Sequence, residues 1–560
     1  MKRKYFKICL ISFFLLILPQ ISLADSIGQK VNFFIDSTYD LEKRTQIDAT
    51  LHYISSKLYF YVDDKWWSAL DYQSQNKLSE NLILLAPEFE NKIYPTLTSK
   101  FGSEPKPGID KDEKITILIH PMIEDAGGYF NSGDGYSRIL NPKSNEREMI
   151  YLNAKQIDKS HTKSYLAHEF MHLITFNQKD LLKNVSEEVW LNEGRAEYAP
   201  TLLGYDDNFE GSNLQKRVQK FLIEKSDSLT EWRSQNSDYG VINLFIQYLV
   251  DHYGLKILVD SLQSKEVGIK SLNEALKKNG FSSDFSQIFL DWSMTVLIND
   301  CQIGPKYCYL NPNLKNFKIT PQIIFLPQVG ESTLTIINTT KDWAGNWHKI
   351  IGGKNVLKLE FSGNPKAKFK VPYLLIDISA KYQVGFLTLD ENQKGKLYIP
   401  DFGSKNTALI IIPFSQTKTS GFDGAETTYQ YSWTSSIVER TPEEEQELIK
   451  ELLAQIEFLQ KEIARVQAQI AAILASRSQK VLCQKFERDL YFGMMNSQEV
   501  RCLQEFLKSR GSEIYSEGLV TGNFLTLTFE SVKRYQASKG IIQTGYFGPL
   551  TRAAANSELR

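Results

Sequence analysis

Along this chain of 560 residues the spacing of apolar positions changes three times, and each change marks a boundary. Between residues 25 and about 310 a few strand-like runs, such as Lys114 to His120 (KITILIH), come before long stretches of helical period from Lys163 onward. Strands first and helices later predict an α+β domain. From 311 to 438 the runs become short and alternating: Val356 to Phe361, Tyr382 to Leu389, Ala408 to Phe414 and Thr427 to Trp433. Glycine, asparagine and aspartate separate them, which predicts a β-sandwich.

At Thr441 the period changes again. Thr441, Pro442 and Glu444 form a helix start with a T-x-x-E capping box. Behind it Ile449, Ile456, Ile463 and Ile470 fall on one seam position of a heptad and Leu452, Leu459, Val466 and Ile473 on the other. A coiled-coil helix over 441–478 is expected, paired with another copy in a homo-oligomer or with a helix of the same chain. Residues 480–560 return to a compact helical pattern with an internal echo, VRCLQEFLKSRG at Val500 to Gly511 and VKRYQASKG at Val532 to Gly540.

Composition changes this picture little. A formal net charge of -1 and 42% apolar residues are ordinary for globular domains and give no reason to expect a nucleic-acid partner. The first residues differ: Lys2, Arg3 and Lys4, an apolar run from Ile8 to Leu18, Pro19 and then Ser22-Leu23-Ala24 read as a signal peptide over 1–24. The run is shorter than the roughly 20 residues a membrane span needs, so no span is expected after cleavage, and the protein is expected to be secreted, extracellular or periplasmic. Cys301 with Cys308 and Cys483 with Cys502 form two local pairs, which an oxidising compartment would close as disulfides.

The sharpest chemical signal is HEFMH, His168 to His172. Four residues apart on a helix, the two imidazoles share a face and can hold one metal ion, while Leu166, Phe170, Leu173 and Ile174 cluster opposite, with Glu169 at the edge. A catalytic zinc takes three protein ligands and keeps a position for water. Glu193, in WLNEGRAEYA at Trp190 to Ala199, is the candidate third ligand, and Glu197 can orient a histidine from behind. The competing reading of both glutamates is a solvated helix face. Asp110 and Asp112 in GIDKDEKI suit either a Ca2+ site or a plain turn before a strand. The AGGYF glycines suit the border of a cleft where an extended peptide could add to a strand edge. His161, seven residues before the motif, reads as an exposed or helix-capping residue.

HEFMH followed some twenty residues later by WLNEGRAEYA resembles the gluzincin superfamily of metallopeptidases, which includes thermolysin and the aminopeptidase N group, and most closely its hyicolysin-like secreted members. The resemblance extends through GIDKDEKITIL, AGGYF, REMIYLN, SDYGVINLFIQYL and FLDWSMTVLIND. It implies a thermolysin-like zincin fold over 25–310, one catalytic Zn2+ on His168, His172 and Glu193, and Glu169 as general base. Superfamily members use a tyrosine or histidine from a later helix at the oxyanion; Tyr239, in SDYGVINLF, is the candidate, with simple aromatic packing as the alternative.

The C-terminal segment carries a second resemblance. Leu503-Gln504, Gly522, Phe524, Thr528, Val532, Gln536, Gly540, Ile541, Gly545, Gly548, Pro549 and Thr551 resemble the peptidoglycan-binding domain appended to wall hydrolases. The resemblances together imply a zinc endopeptidase acting on protein or peptide substrates while tethered to cell wall. Two alternatives remain open: a non-catalytic wall-bound scaffold or adhesin, and a hydrolase of peptidoglycan cross-links.

Overall fold

The computed structural model describes residues 24–327, 332–422, 424–438 and 485–559, with seven helical positions between 453 and 467. Residues 1–23, most of the heptad segment and Cys483 lie outside the described residues, and with them the expected signal peptide, coiled coil and Cys483–Cys502 pairing. Of the heptad positions that are described, Ile456 and Ile463 are helical and exposed. The chain forms two compact units, up to Glu439 and from Arg440.

The first unit is built on a six-stranded sheet of β1 (Lys30–Phe34), β2 (Gln46–Ile54), β3 (Leu58–Asp63), β4 (Ile115–His120), β5 (Gly128–Tyr129) and β6 (Met149–Asn153), in the order β1-β2-β3-β4-β6-β5. The run KITILIH becomes β4, buried at all six positions because both faces of the sheet are covered. Leu58, Phe60, Val62, Ile115, Ile117 and Ile119 face the large helical core, while Tyr59, Tyr61 and Leu118 face a smaller cluster with Phe33, Ile47 and Leu51. Strands β3, β4 and β6 are parallel, and β5 is an antiparallel edge.

Three helices precede the helical stretch expected from Lys163: α1 (Asp64–Ala69), α2 (Tyr72–Glu88) and α3 (Tyr94–Phe101). They follow from topology, since parallel β3 and β4 need a crossover. The later helices are α4 (Thr162–Thr175), α5 (Val189–Leu202), α6 (Asn213–Ile223), α7 (Asn236–Tyr253), α8 (Lys256–Gln263), α9 (Gly268–Lys278) and α10 (Phe285–Ile298). Cys301 and Cys308 form a disulfide after α10.

Among the described residues eleven strands follow: β7 (Gln322–Leu326), β8 (Thr333–Thr340), β9 (His348–Gly352), β10 (Asn355–Gly363), β11 (Phe369–Lys370), β12 (Pro372–Asp377), β13 (Tyr382–Phe386), β14 (Lys394–Phe402), β15 (Asn406–Ile411), β16 (Phe414–Ser415) and β17 (Tyr429–Val438). Nine of them make one hydrogen-bonded network. Its halves, β7-β9-β15-β12-β13 and β14-β10-β17-β8, join only through Phe402 and Asn406. Leu409 and Ile411 of the first half share a core with Leu359, Ile399 and Trp433 of the second. The other face of β12 and β15, Leu374 and Ile410, belongs to the helical core. The first half is therefore a middle layer, with helices on one side and strands on the other.

The second unit contains α11 (Gln498–Ser509), α12 (Thr526–Ser538) and α13 (Pro549–Glu558) around Leu503, Phe506, Phe524, Val532, Tyr535 and Phe547. The internal echo becomes a repeated hydrogen-bond pattern. The Gln504 amide accepts from the backbone of Gly522 and donates to the Asn523 carbonyl and Thr528 hydroxyl. Gln536 does the same with Gly545, Tyr546 and Thr551. The two T-G-x-F turns, 521–524 and 544–547, are equivalent because a buried amide needs every one of its groups paired.

Candidate functional site

Helices α4 and α5 lie against each other under edge strand β5, and between them runs a cleft of about 1150 Å³. Helical spacing puts His168 and His172 on one face of α4, and Leu166, Phe170, Leu173 and Ile174 anchor its other face in the core. On α5 the spacing aligns Glu193 with Glu197.

The two Nε2 atoms of His168 and His172 are 3.1 Å apart, and Glu193 Oε2 lies 3.3 Å from the first and 3.6 Å from the second. Among the described residues, this is the one group of three or more histidine, cysteine or acidic side chains whose potential ligand atoms converge. The outer imidazole nitrogens are engaged elsewhere: His172 Nδ1 lies 3.1 Å from Asn192 Oδ1, and His168 Nδ1 3.4 Å from Glu197 Oε1. Glu197 is fully buried and accepts from Arg217 through both oxygens, at 2.8 and 2.7 Å, and from Asn213 and Asn243. Glu193 Oε2 is buried without a hydrogen-bond partner.

Burial disfavours charge throughout the cleft, and neighbours decide the outcome. His172 would be pushed down by burial, but the Glu193 carboxylate holds it up at about 9. Glu193 would be pushed up, but His172 and His168 hold it far below the usual carboxylate range. Burial dominates at Glu169, whose pKa is raised despite the two imidazoles. At Glu197 burial is outweighed by Arg217, and the carboxyl stays low.

Tyr239 lines the same cleft from the first turn of α7, packed edge-on against Trp232 with the Arg217 guanidinium 4.4 Å from its ring centre. Burial and the Glu193 charge keep its phenol protonated. His161 also lines the cleft. It sits at the N-cap position of α4 but its side chain makes no capping bond, reaching Gln156 instead. In β5 a Cβ on Gly128 would lie 2.5 Å from the Tyr151 carbonyl oxygen and 3.2 Å from Glu169 Cγ; one on Gly127 would lie 2.6 Å from the Tyr165 ring. Only glycine lets the edge strand approach Glu169 so closely.

Asp110 and Asp112 are elsewhere. They close the turn before β4, Asp110 accepting from the Asp112 backbone and Asp112 from the Lys114 backbone and the Tyr59 hydroxyl. Sequence reasoning missed Asn192, Arg217, Asn213, Asn243 and Tyr39. Asn192 was within reach, being the residue before Glu193 in the same motif.

Residues 496–555 match the family described as "Putative peptidoglycan binding domain", so the chain carries such a domain over α11 to α13. No curated protein matches the chain. Solved structures similar to it include Aeromonas hydrophila PliG, a periplasmic inhibitor of g-type lysozyme, at 9% identity over 21% of this chain and 100% of that one, TM-score 0.15. The family GH115 4-O-methyl-α-glucuronidase BtGH115A aligns at 8% identity over 60% of this chain and 53% of its own, TM-score 0.13. The M60 catalytic domain of Clostridium perfringens ZmpB with its CBM51 domains aligns at 8% identity over 69% and 59%, TM-score 0.21. Likeness at these scores carries no argument about activity.

Proposed function

We propose that the first unit is a zinc-dependent endopeptidase and that the C-terminal domain tethers it to peptidoglycan. The observation that carries the reading is Glu193 Oε2, buried, without a hydrogen-bond partner, and facing two imidazole nitrogens whose partner nitrogens are already engaged. Such an oxygen is costly to bury unless something positive sits beside it. The separations of 3.1, 3.3 and 3.6 Å also suit zinc: ligands about 2.0–2.1 Å from a tetrahedral centre lie about 3.3 Å apart. Thiolates are absent from the set, and two imidazoles with one carboxylate form an N/O donor group suited to this ion.

A zinc ion held by His168, His172 and Glu193 would supply Lewis acidity and lower the pKa of a coordinated water. Glu169, whose carboxyl is already raised by burial, is suited to take a proton from that water and deliver it to the departing amine. Tyr239 stays neutral and can donate to the charge developing on the scissile carbonyl oxygen. β5 is the edge strand of its sheet, where an extended peptide can add as a further strand beside Glu169.

Metal analysis joined to a casein assay tests this. Mature protein should hold one zinc per chain, lose activity with chelator, and keep zinc but lose turnover in Glu169→Gln. Normal cleavage by that variant, or no zinc in the wild type, overturns the proposal. Zymograms on casein and on purified wall separate proteolysis from cross-link cleavage.

A further inference from the structure

One buried ion network lies beside the cleft without lining it. Arg44, in the connection between β1 and β2, pairs with Asp40 at 2.8 Å and Asp63 at 2.7 Å, and both carboxylates are buried. Asp40 also accepts from the backbone of Glu42 and Arg44, and its Oδ2 lies 3.3 Å from the buried His120 ring. Further bonds stitch this loop to the segment leading into β5: Leu41 donates to the Pro121 carbonyl, and Ile123 donates to the carbonyl of Tyr39. A buried network of this kind adds little net stability, because desolvation offsets the attraction; what it does provide is one fixed geometry.

The residue so fixed is Tyr39. Its ring stacks on Tyr129 of β5 with centroids 4.6 Å apart at 16°, and Tyr129 stacks in turn on Tyr151 at 4.1 Å and 9°. The Tyr129 hydroxyl accepts from the backbone of Asp36, so the platform and the loop are bonded to each other. Tyr39 lines the same cleft as His168, Glu169, Glu193 and Tyr239. Its hydroxyl makes no hydrogen bond to any described residue, although its ring is stacked on Tyr129 and its backbone is bonded to Asp36 and Ile123. A rigid side chain that ends in an unused donor at a cleft is arranged for a ligand, since held donors aimed at developing charge cost no reorganisation during reaction.

We propose that Tyr39 is a second catalytic tyrosine, donating a hydrogen bond to the scissile carbonyl oxygen as negative charge develops there, alongside Tyr239 in the same cleft. This rests on the peptidase reading. Burial holds the phenol above its ordinary range, so it is a neutral donor at neutral pH. No proton leaves it: the hydroxyl keeps its O–H bond throughout, and the proton that moves is carried by Glu169.

The test is Tyr39→Phe in the full chain, which keeps the ring and its stacking and removes only the hydroxyl. Turnover of a peptide substrate should fall about 100-fold in kcat, the loss expected for one donor to a developing oxyanion, with KM within twofold. Zinc content and Tm should match wild type. A phosphinic peptide, which mimics the tetrahedral geometry, should bind about 100-fold more weakly, and a product peptide should bind as before. Unchanged kcat and phosphinate affinity, or a loss confined to KM, overturns the role of Tyr39 and leaves the peptidase reading intact. A wild-type chain that binds zinc yet cleaves nothing overturns both.

Discussion

Glu197 shows how far a single residue's role reaches beyond its own contact. It faces His168 on one side and Arg217 on the other, and the Arg217 guanidinium in turn lies over Tyr239. Replacing it by glutamine keeps the volume but strips the charge that Arg217 pairs with, leaving a cation stranded in a buried site. Glu197→Gln is expected to lower stability by about 3 kcal/mol and metal affinity 10- to 100-fold, roughly the cost of breaking a buried pair and of losing an orienting partner. Thermal melts and chelator competition read the two effects separately. His168, Glu169, His172, Glu193 and Glu197 could all be singled out from the sequence, because their positions on two helices follow from local periodicity. Arg217 and Tyr39 could not: α6 and the β1–β2 loop meet the cleft only through tertiary packing, and nothing in their local pattern distinguishes them from solvent-facing neighbours.

At the scale of elements, the short edge strand β5 and the inter-sheet pair at His348 respond to different perturbations. An added methyl at Gly128 meets a backbone carbonyl at 2.5 Å, which cannot swing aside as a side chain would. Gly128→Ala should therefore push β5 off β6 and away from Glu169, cutting peptide turnover at least tenfold while zinc remains bound; the same assay and metal analysis decide it. His348, on β9, reaches across to the Tyr431 hydroxyl on β17 at 2.9 Å, with its other nitrogen buried and unpartnered. Burial holds its pKa down at about 4 against the ordinary 6.5. The unfolded chain thus takes up a proton on falling through pH 6.5 while the folded chain does not until about 4. Stability from this residue is full above pH 6.5 and is lost as the pH falls to about 4, by roughly 3 kcal/mol. Urea titrations at pH 7 and pH 4 should show that extra loss in wild type and not in His348→Gln.

Strand alternation made most of these β elements legible, since β10 from Leu357 and β17 from Tyr431 bury every second side chain. The crossover helices α1 to α3 were not, because Trp66, Trp67 and Pro87 blur their apolar pattern and only the parallel pairing of β3 with β4 requires them.

The shift in pattern near residue 311 is real along the chain, yet packing runs straight through it. Trp343, Trp347, Phe414 and Phe422 are buried in the same core as Phe285, Phe289 and Trp292 of the helical part. Polar groups follow: the Trp347 indole donates to the Ser293 carbonyl, Leu229 donates to the Trp343 carbonyl, Ser228 donates to that of Asp342, and Lys341 pairs with the buried Glu231. Gly421 donates to Glu188, the residue just before α5, so this contact reaches the helix that carries Glu193. None of this is visible in sequence, where Trp343, Trp347 and Phe422 sit among loop residues and Phe414 only closes the run that begins at Ala408. Burying four such rings contributes on the order of 10 kcal/mol, comparable with the whole net stability of a domain. A chain cut after residue 310 uncovers Phe285, Phe289 and Trp292 and takes Asp342 from Ser228 and Lys341 from Glu231. It should be expressed as insoluble or molten protein without peptidase activity, whereas residues 25–438 should unfold in one cooperative transition and keep full turnover of a soluble peptide. Calorimetry and the peptide assay on both truncations decide between this and an independent first domain, which would melt with the same midpoint and the same activity with or without the strands that follow it.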